Sequence, residues 1–85
     1  MDWREQIVLD PHILGGKPAI KGTRIAVEFI VELVAEGWGF DEILRNYPQL
    51  TRKDIPAALK YAAEVLKSER VYPLTAGRSG EGSGR

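Results

Sequence analysis

The chain has 85 residues, of which 44% are hydrophobic and 28% are charged, and its twelve Lys and Arg balance twelve Asp and Glu. This length is enough for one small domain, and the composition is that of a globular protein. Because the net charge is zero, overall charge predicts no polyanion partner, and a nucleic-acid interface would have to arise from local clustering of charge.

The residue types that the chain lacks exclude several kinds of site. It has no cysteine, which excludes disulfides, thiol catalysis and cysteine-based metal clusters. His12 is the only histidine, so one chain cannot build a paired-imidazole metal site, and no Ser or Cys nucleophile lies near it in the sequence. We therefore expect no enzyme activity, no cofactor and no bound metal.

The hydropathy of the chain predicts a cytoplasmic protein. No apolar run approaches the roughly 20 residues that are needed to cross a bilayer. The first residues lack the basic and apolar regions of a signal peptide. We expect no membrane association.

The N-terminal residues 1–25 predict a small β-hairpin. Two short β-like runs, at residues 6–9 and 19–21, are divided by Pro11, Gly15, Gly16 and Pro18. Short apolar stretches bounded by Gly and Pro are typical of strands and turns.

Residues 26–68 predict three helices. The first spans about residues 26–36 and ends at Gly37, a residue type that readily adopts the left-handed conformation after a helix. The second spans about residues 40–46 and is ended by Pro48. The third opens at Thr51, with Asp54 in the place of the acid of a capping box. Pro56 conflicts with a regular helix from Thr51, so either the first turn is irregular or the helix starts nearer Pro56.

These elements predict a mainly α fold, with a three-helix helix-turn-helix core behind a short N-terminal β-hairpin. Residues 1–74 would form this one domain. Residues 75–85 are rich in Gly and Ser and bury almost nothing, so we expect a flexible tail there.

Acidic and basic residues are segregated along the chain, although their numbers are equal. Residues 25–44 contain five acids and no Lys or Arg, whereas residues 45–60 contain four bases and one acid. At helical spacing, one face of the first helix carries an acidic stripe and one face of the third carries a basic stripe of Lys53, Lys60 and Lys67. Each stripe is either an ordinary solvated face or a binding surface.

The first helix is apolar over an arc wider than one small core needs. Its apolar residues cover more than about 200°, whereas burying one face takes about 100–140°. Either the hairpin covers the additional surface or the arc is an interface with a partner or a second copy. The width favours an interface, because apolar patches of that extent are rare on monomers.

Two short helices, a turn and a capped helix are the layout of a helix-turn-helix, in which the third helix would enter the major groove of DNA. Small three-helix domains that do not bind DNA have the same layout. The candidate DNA contacts are Arg52, Lys53, Lys60 and Arg45.

Residues 7–67 resemble the bacterial domain-of-unknown-function family 433. The most specific elements of this resemblance are Gly-Gly-Lys-Pro at residues 15–18 and Lys-Gly-Thr-Arg at residues 21–24. The resemblance implies a homeodomain-like helix-turn-helix and a VapB-type antitoxin paired with a PIN-like ribonuclease toxin. The candidate residues for a partner or dimer interface are Phe29, Val31, Glu28, Glu32 and Tyr72.

Our functional prediction is a homodimeric antitoxin or autoregulator that binds operator DNA and neutralises a PIN-like toxin protein. The alternative is a protein-interaction module that inhibits a partner enzyme without binding DNA. A steep dependence of DNA affinity on salt would separate the two, because it arises from phosphate neutralisation.

Overall fold

The computed structural model describes residues 2–68. Its elements in chain order are a 3₁₀ helix at Trp3–Gln6, strand β1 at Ile7–Val8, a second 3₁₀ helix at Leu14–Gly16, strand β2 at Ala19–Ile20, and helices α1 at Val27–Ala35, α2 at Phe40–Asn46 and α3 at Asp54–Ser68. The predicted fold class, mainly α with three helices behind a short N-terminal hairpin, is confirmed. The predicted tail, residues 75–85, lies outside the described residues.

A short turn connects the hairpin to α1. Strands β1 and β2 pair antiparallel, with Ile7 opposite Ile20. After β2 the chain turns at Gly22, whose φ of 82° is in the left-handed region that glycine tolerates. Thr23 fixes this turn, because its hydroxyl donates to the Ile20 carbonyl at 2.8 Å and accepts the Ile25 N–H at 3.0 Å. The hairpin is thereby held against the start of the first helix.

Four isoleucines from four different elements form the centre of the core. Ile20 of β2, Ile30 of α1, Ile43 of α2 and Ile55 of α3 each have less than 2% of their surface exposed. Burying a branched aliphatic side chain stabilises a fold by about 1.5–3 kcal/mol. Strand β2 and the three α-helices therefore each contribute one anchoring side chain to the same cluster.

Helix α1 ends in a Schellman motif. The Gly37 N–H donates to the Val34 carbonyl, and the Trp38 N–H donates to the Leu33 carbonyl, both at 3.0 Å. Gly37 has a φ of 97°, which an L side chain rarely adopts. The predicted stop of the first helix at Gly37 is confirmed.

The regular helix α3 begins at Asp54, nearer Pro56 than Thr51, and it follows an irregular turn in which the Asp54 N–H donates to the Thr51 carbonyl at 3.0 Å. The Asp54 carboxylate accepts the Thr51 N–H at 2.8 Å, as the acid of a capping box does. Pro56 is the third residue of the helix. The first N–H groups of a helix have no intrahelical partner, so the missing N–H of Pro56 costs no hydrogen bond there.

Helix α3 packs against both α1 and the N-terminal 3₁₀ helix. At the contact with the 3₁₀ helix, the rings of Trp3 and Tyr61 meet edge-to-face, with centroids 5.4 Å apart. The chain before the hairpin is therefore part of the domain.

Candidate functional site

The exposed side of α3 carries the predicted basic stripe. Lys60 and Lys67 lie on the helix, and Lys53 immediately precedes it. All three side chains are exposed, whereas Ile55 and Ala58 on the opposite side are fully buried. We call the surface defined by Lys53, Lys60 and Lys67 the lysine face. The structure confirms that these lysines, as their spacing predicts, lie on one solvent-exposed face.

One carboxylate partly neutralises the lysine face. Glu64 lies between two of the lysines, and its Oε2 is 3.8 Å from the Nζ atoms of both Lys60 and Lys67. Exposed ion pairs of this kind are worth only about 0–1 kcal/mol, so an incoming anion can compete with them. Lys53 takes part in none of the ion pairs of the described residues.

Arg52 and Arg45 lie away from the body of α3. Arg52 is in the turn before α3, where its guanidinium forms an ion pair with Asp41 of α2. Both of these side chains are more than half exposed. Arg45 is an exposed residue in the last turn of α2. Of the four predicted DNA contacts, Lys53 and Lys60 thus lie together on the lysine face. Arg52 is paired with α2, and Arg45 lies on α2 itself.

An open cleft places one further base, Arg24, beside the turn that leads into α3. The cleft has a volume of about 490 Å³ and is lined by Ile13, Gly22, Thr23, Arg24 and Gln49. Arg24 comes from the turn after β2, and Gln49 comes from the α2–α3 connection. The run of bases from Lys17 to Arg24 marks the hairpin as basic, but no sequence spacing shows that Arg24 reaches this connection.

Three of the predicted interface residues line an apolar groove between α1 and α3. The groove has a volume of about 380 Å³ and is lined by Pro18, Val27, Glu28, Val31, Glu32, Ala35, Tyr61, Ala62, Val65 and Leu66. Val31 is half-buried and Leu66 is 67% exposed. The wide apolar arc of α1 is therefore shared between the core and this α1–α3 groove.

The other two predicted interface residues are placed differently. Phe29 is half-buried, and its ring packs edge-to-face on Tyr47 with centroids 5.3 Å apart. Trp38 is also near Tyr47, at a ring-centroid distance of 6.4 Å. These aromatics close one end of the core, so Phe29 has an intramolecular partner. Tyr72 lies outside the described residues.

Within residues 2–68, no three or more His, Asp or Glu side chains are grouped closely enough to hold a metal ion. None of the helices described there is long and apolar enough to span a membrane.

Comparisons with known proteins agree on one family. Residues 7–62, more than half of the chain, match the model of a family described as protein of unknown function, DUF433. A relative named uncharacterized protein y4eO, from Sinorhizobium fredii, is 37% identical over 68 residues. That alignment covers 79% of this chain and 31% of the relative, so the chain spans about a third of the relative's length.

A solved structure extends the agreement to the fold. The crystal structure of a DUF433 member protein from Anabaena variabilis superimposes with a TM-score of 0.68 at 35% sequence identity. The match covers 73% of this chain and 61% of the Anabaena chain. Sequence and fold together show that this chain belongs to the DUF433 family.

Proposed function

We propose that this chain is a DNA-binding regulator of a type II toxin–antitoxin pair, which acts in the cytoplasm as a homodimer and neutralises a PIN-like ribonuclease toxin. The observation that carries the DNA half of the proposal is the lysine face. Three exposed lysines at intervals of seven residues, one just before the third helix of the helix-turn-helix and two on it, form this face.

The chemistry of the lysine face suits a phosphate backbone better than a base edge. Lysine acts as a flexible point charge, whereas a bidentate contact to guanine is best made by arginine. Arg52, the arginine next to Lys53 in the sequence, is engaged by Asp41. We therefore expect DNA binding with a strong electrostatic component, and base recognition only where DNA displaces Asp41 from Arg52.

The second candidate function is a protein-interaction module that inhibits a partner enzyme without binding DNA. The α1–α3 groove favours it, because the groove is apolar and open while the lysine face is partly neutralised by Glu64. An antitoxin uses both kinds of surface, so the two candidates differ in whether the lysine face is functional.

The experiment that tests the proposal is a titration of the full chain against a labelled duplex from upstream of its own gene, at several salt concentrations. The slope of log K against log salt is about −0.9 per phosphate neutralised. Three lysines predict a slope near −3 for each bound protomer. A slope near zero, or no binding at low salt, would contradict the DNA half and favour the interaction module.

The antitoxin half requires a separate measurement. If a PIN-like nuclease is encoded next to this chain, co-expression should restore the growth that the nuclease alone arrests. Growth arrest that persists at equal expression would contradict this half, whatever the result of the DNA titration.

A further inference from the structure

We infer that the α1–α3 groove is the docking site for a basic amphipathic helix of a partner protein, with its apolar side chains in the groove and its Lys or Arg against Glu28 and Glu32. The inference deepens the partner half of the proposed function. It concerns a surface away from the lysine face, and its test involves no DNA.

The lining of the groove supports a helix as the occupant. On the α1 side, Val27, Val31 and Ala35 follow one another at intervals of four residues, and Leu66 and Val65 form part of the α3 side. A trough between two helices accepts the apolar stripe of a third helix, which is a recurring mode of peptide recognition. Leu66 is 67% exposed, so its side chain is available to a partner without unfolding the domain.

The acidic residues at the rim of the groove favour a positively charged partner. Glu28 and Glu32 are exposed, lie one turn apart on α1 and line the groove, and the described residues that line it include no Lys or Arg. One helical turn separates the two carboxylates by about 6 Å along the axis. Basic residues four apart on a partner helix therefore match their spacing.

Among the described residues, the cation that pairs with this rim is Lys17, and it leaves the groove open. The Lys17 Nζ is 3.2 Å from Glu28 Oε2, and the two side chains are 59% and 69% exposed. Such a surface pair is weak and is readily exchanged for a partner's cation. Glu32 has no cation among the ion pairs of the described residues, so its carboxylate is the stronger attractor.

A second copy of the chain is a poorer occupant than a basic helix. A two-fold contact through the groove would bring two acidic rims together, because an isologous interface pairs a surface with itself. The lysines of α3 lie on its opposite, exposed face and would not meet the rim.

The test uses two synthetic peptides of about five helical turns, with Leu at the i, i+3, i+4, i+7 positions and either Lys or Glu four apart on the flanks. Binding to the full chain is followed by methyl chemical shifts of Val31, Val65 and Leu66. We expect the Lys peptide to bind and the Glu peptide to bind at least tenfold more weakly. Equal binding of both peptides, or binding of neither, would overturn the inference.

Matched variants locate the site. Glu28→Gln and Glu32→Gln should each weaken the Lys peptide about two- to fivefold, the range expected for an exposed charge pair. Glu36→Gln should not, since Glu36 belongs to the same acidic stripe but lies outside the groove. Leu66→Ser should abolish binding, and Leu9→Ser, at a residue that is 61% exposed elsewhere, should leave it unchanged.

Two further outcomes would assign the groove to another occupant and overturn the inference. If Leu66→Ser converts a dimer to a monomer in sedimentation equilibrium, the groove belongs to a second copy. If the Lys peptide binds only after Val71, Tyr72 and Leu74 are replaced by Ser in the full chain, the groove belongs to that segment of the chain itself. Neither sedimentation nor peptide binding depends on DNA. The docking inference and the proposed DNA binding can therefore fail independently of each other.

Discussion

The amide of Gln6 donates a hydrogen bond of 2.7 Å to the carboxylate of Asp54, across 48 positions of the sequence. The same carboxylate accepts the Thr51 N–H through its other oxygen, at 2.8 Å, and Asp54 is only 4% exposed. One buried acid thus joins the N-terminal 3₁₀ helix to the first turn of α3. Because Lys53 adjoins this turn, the contact also positions the start of the lysine face.

Asp54→Ala should lower the free energy of unfolding by about 1–3 kcal/mol, because it removes a capping interaction and leaves the Gln6 amide without its partner. Chemical denaturation measures this value. Asp41→Ala is the control, since the exposed pair of Asp41 with Arg52 is worth about 0–1 kcal/mol. Equal losses in the two variants would contradict the structural role of Asp54.

Gly37→Ala should destabilise the domain by about 1–2 kcal/mol, the cost of holding an L side chain in the left-handed region. Space is not the reason, because a Cβ at Gly37 would meet no atom within 4 Å. Gly39→Ser is the matched control, since Gly39 precedes α2 with an ordinary φ of −79° and serine is a favourable residue there. The prediction fails if thermal denaturation gives both variants the same melting temperature.

Ile43→Val should lower the free energy of unfolding by about 0.5–1.5 kcal/mol, because it removes one methylene from a fully buried site. Leu66→Ala removes more atoms, but Leu66 is 67% exposed, so its effect on stability should stay within about 0.5 kcal/mol. Urea denaturation of both variants checks the order. A larger loss for Leu66→Ala would show that the groove is closed in the isolated protein.

The sequence predicts the helices well where local signals act at both ends. Helix α2 has the predicted bounds, because Gly39 and Pro48 flank it. For α3 the cap at Thr51 and the proline at Pro56 conflict, and the structure resolves the conflict with a start at Asp54. Sequence periodicity likewise places Lys53, Lys60 and Lys67 on one exposed face.

The tertiary contacts of the candidate site are not predictable in the same way. The pairing of Arg52 with Asp41 joins the turn before α3 to helix α2. The contact of Glu64 with two lysines lowers the positive charge of the basic stripe. The α1–α3 groove depends on how far apart two helices pack. The width of the apolar arc on α1 indicates an apolar surface outside the core. It does not indicate that α3 forms the other side of a groove there.

Asp41→Asn should strengthen DNA binding about two- to fivefold, because it releases the Arg52 guanidinium from its ion pair. Glu42→Gln is the control, since it removes the same charge from the neighbouring residue, for which the structure gives no pair with Arg52. Fluorescence anisotropy on the same duplex compares the two. Equal gains would mean that only net charge matters and that Arg52 does not approach the DNA.

The most direct measurement is the salt dependence of DNA binding by an Arg52/Lys53/Lys60 triple alanine variant, with folding verified by circular dichroism. A Lys17/Lys21/Arg24 triple alanine variant is the control, because it loses the same charge from the hairpin. We predict that the first variant loses most of its affinity and that the magnitude of its salt slope falls by about one for each lysine removed, while the control retains a slope close to that of the unmodified chain. Unchanged affinity and slope in the folded first variant, with loss of binding in the control, would contradict the assignment of the lysine face as the DNA-binding surface.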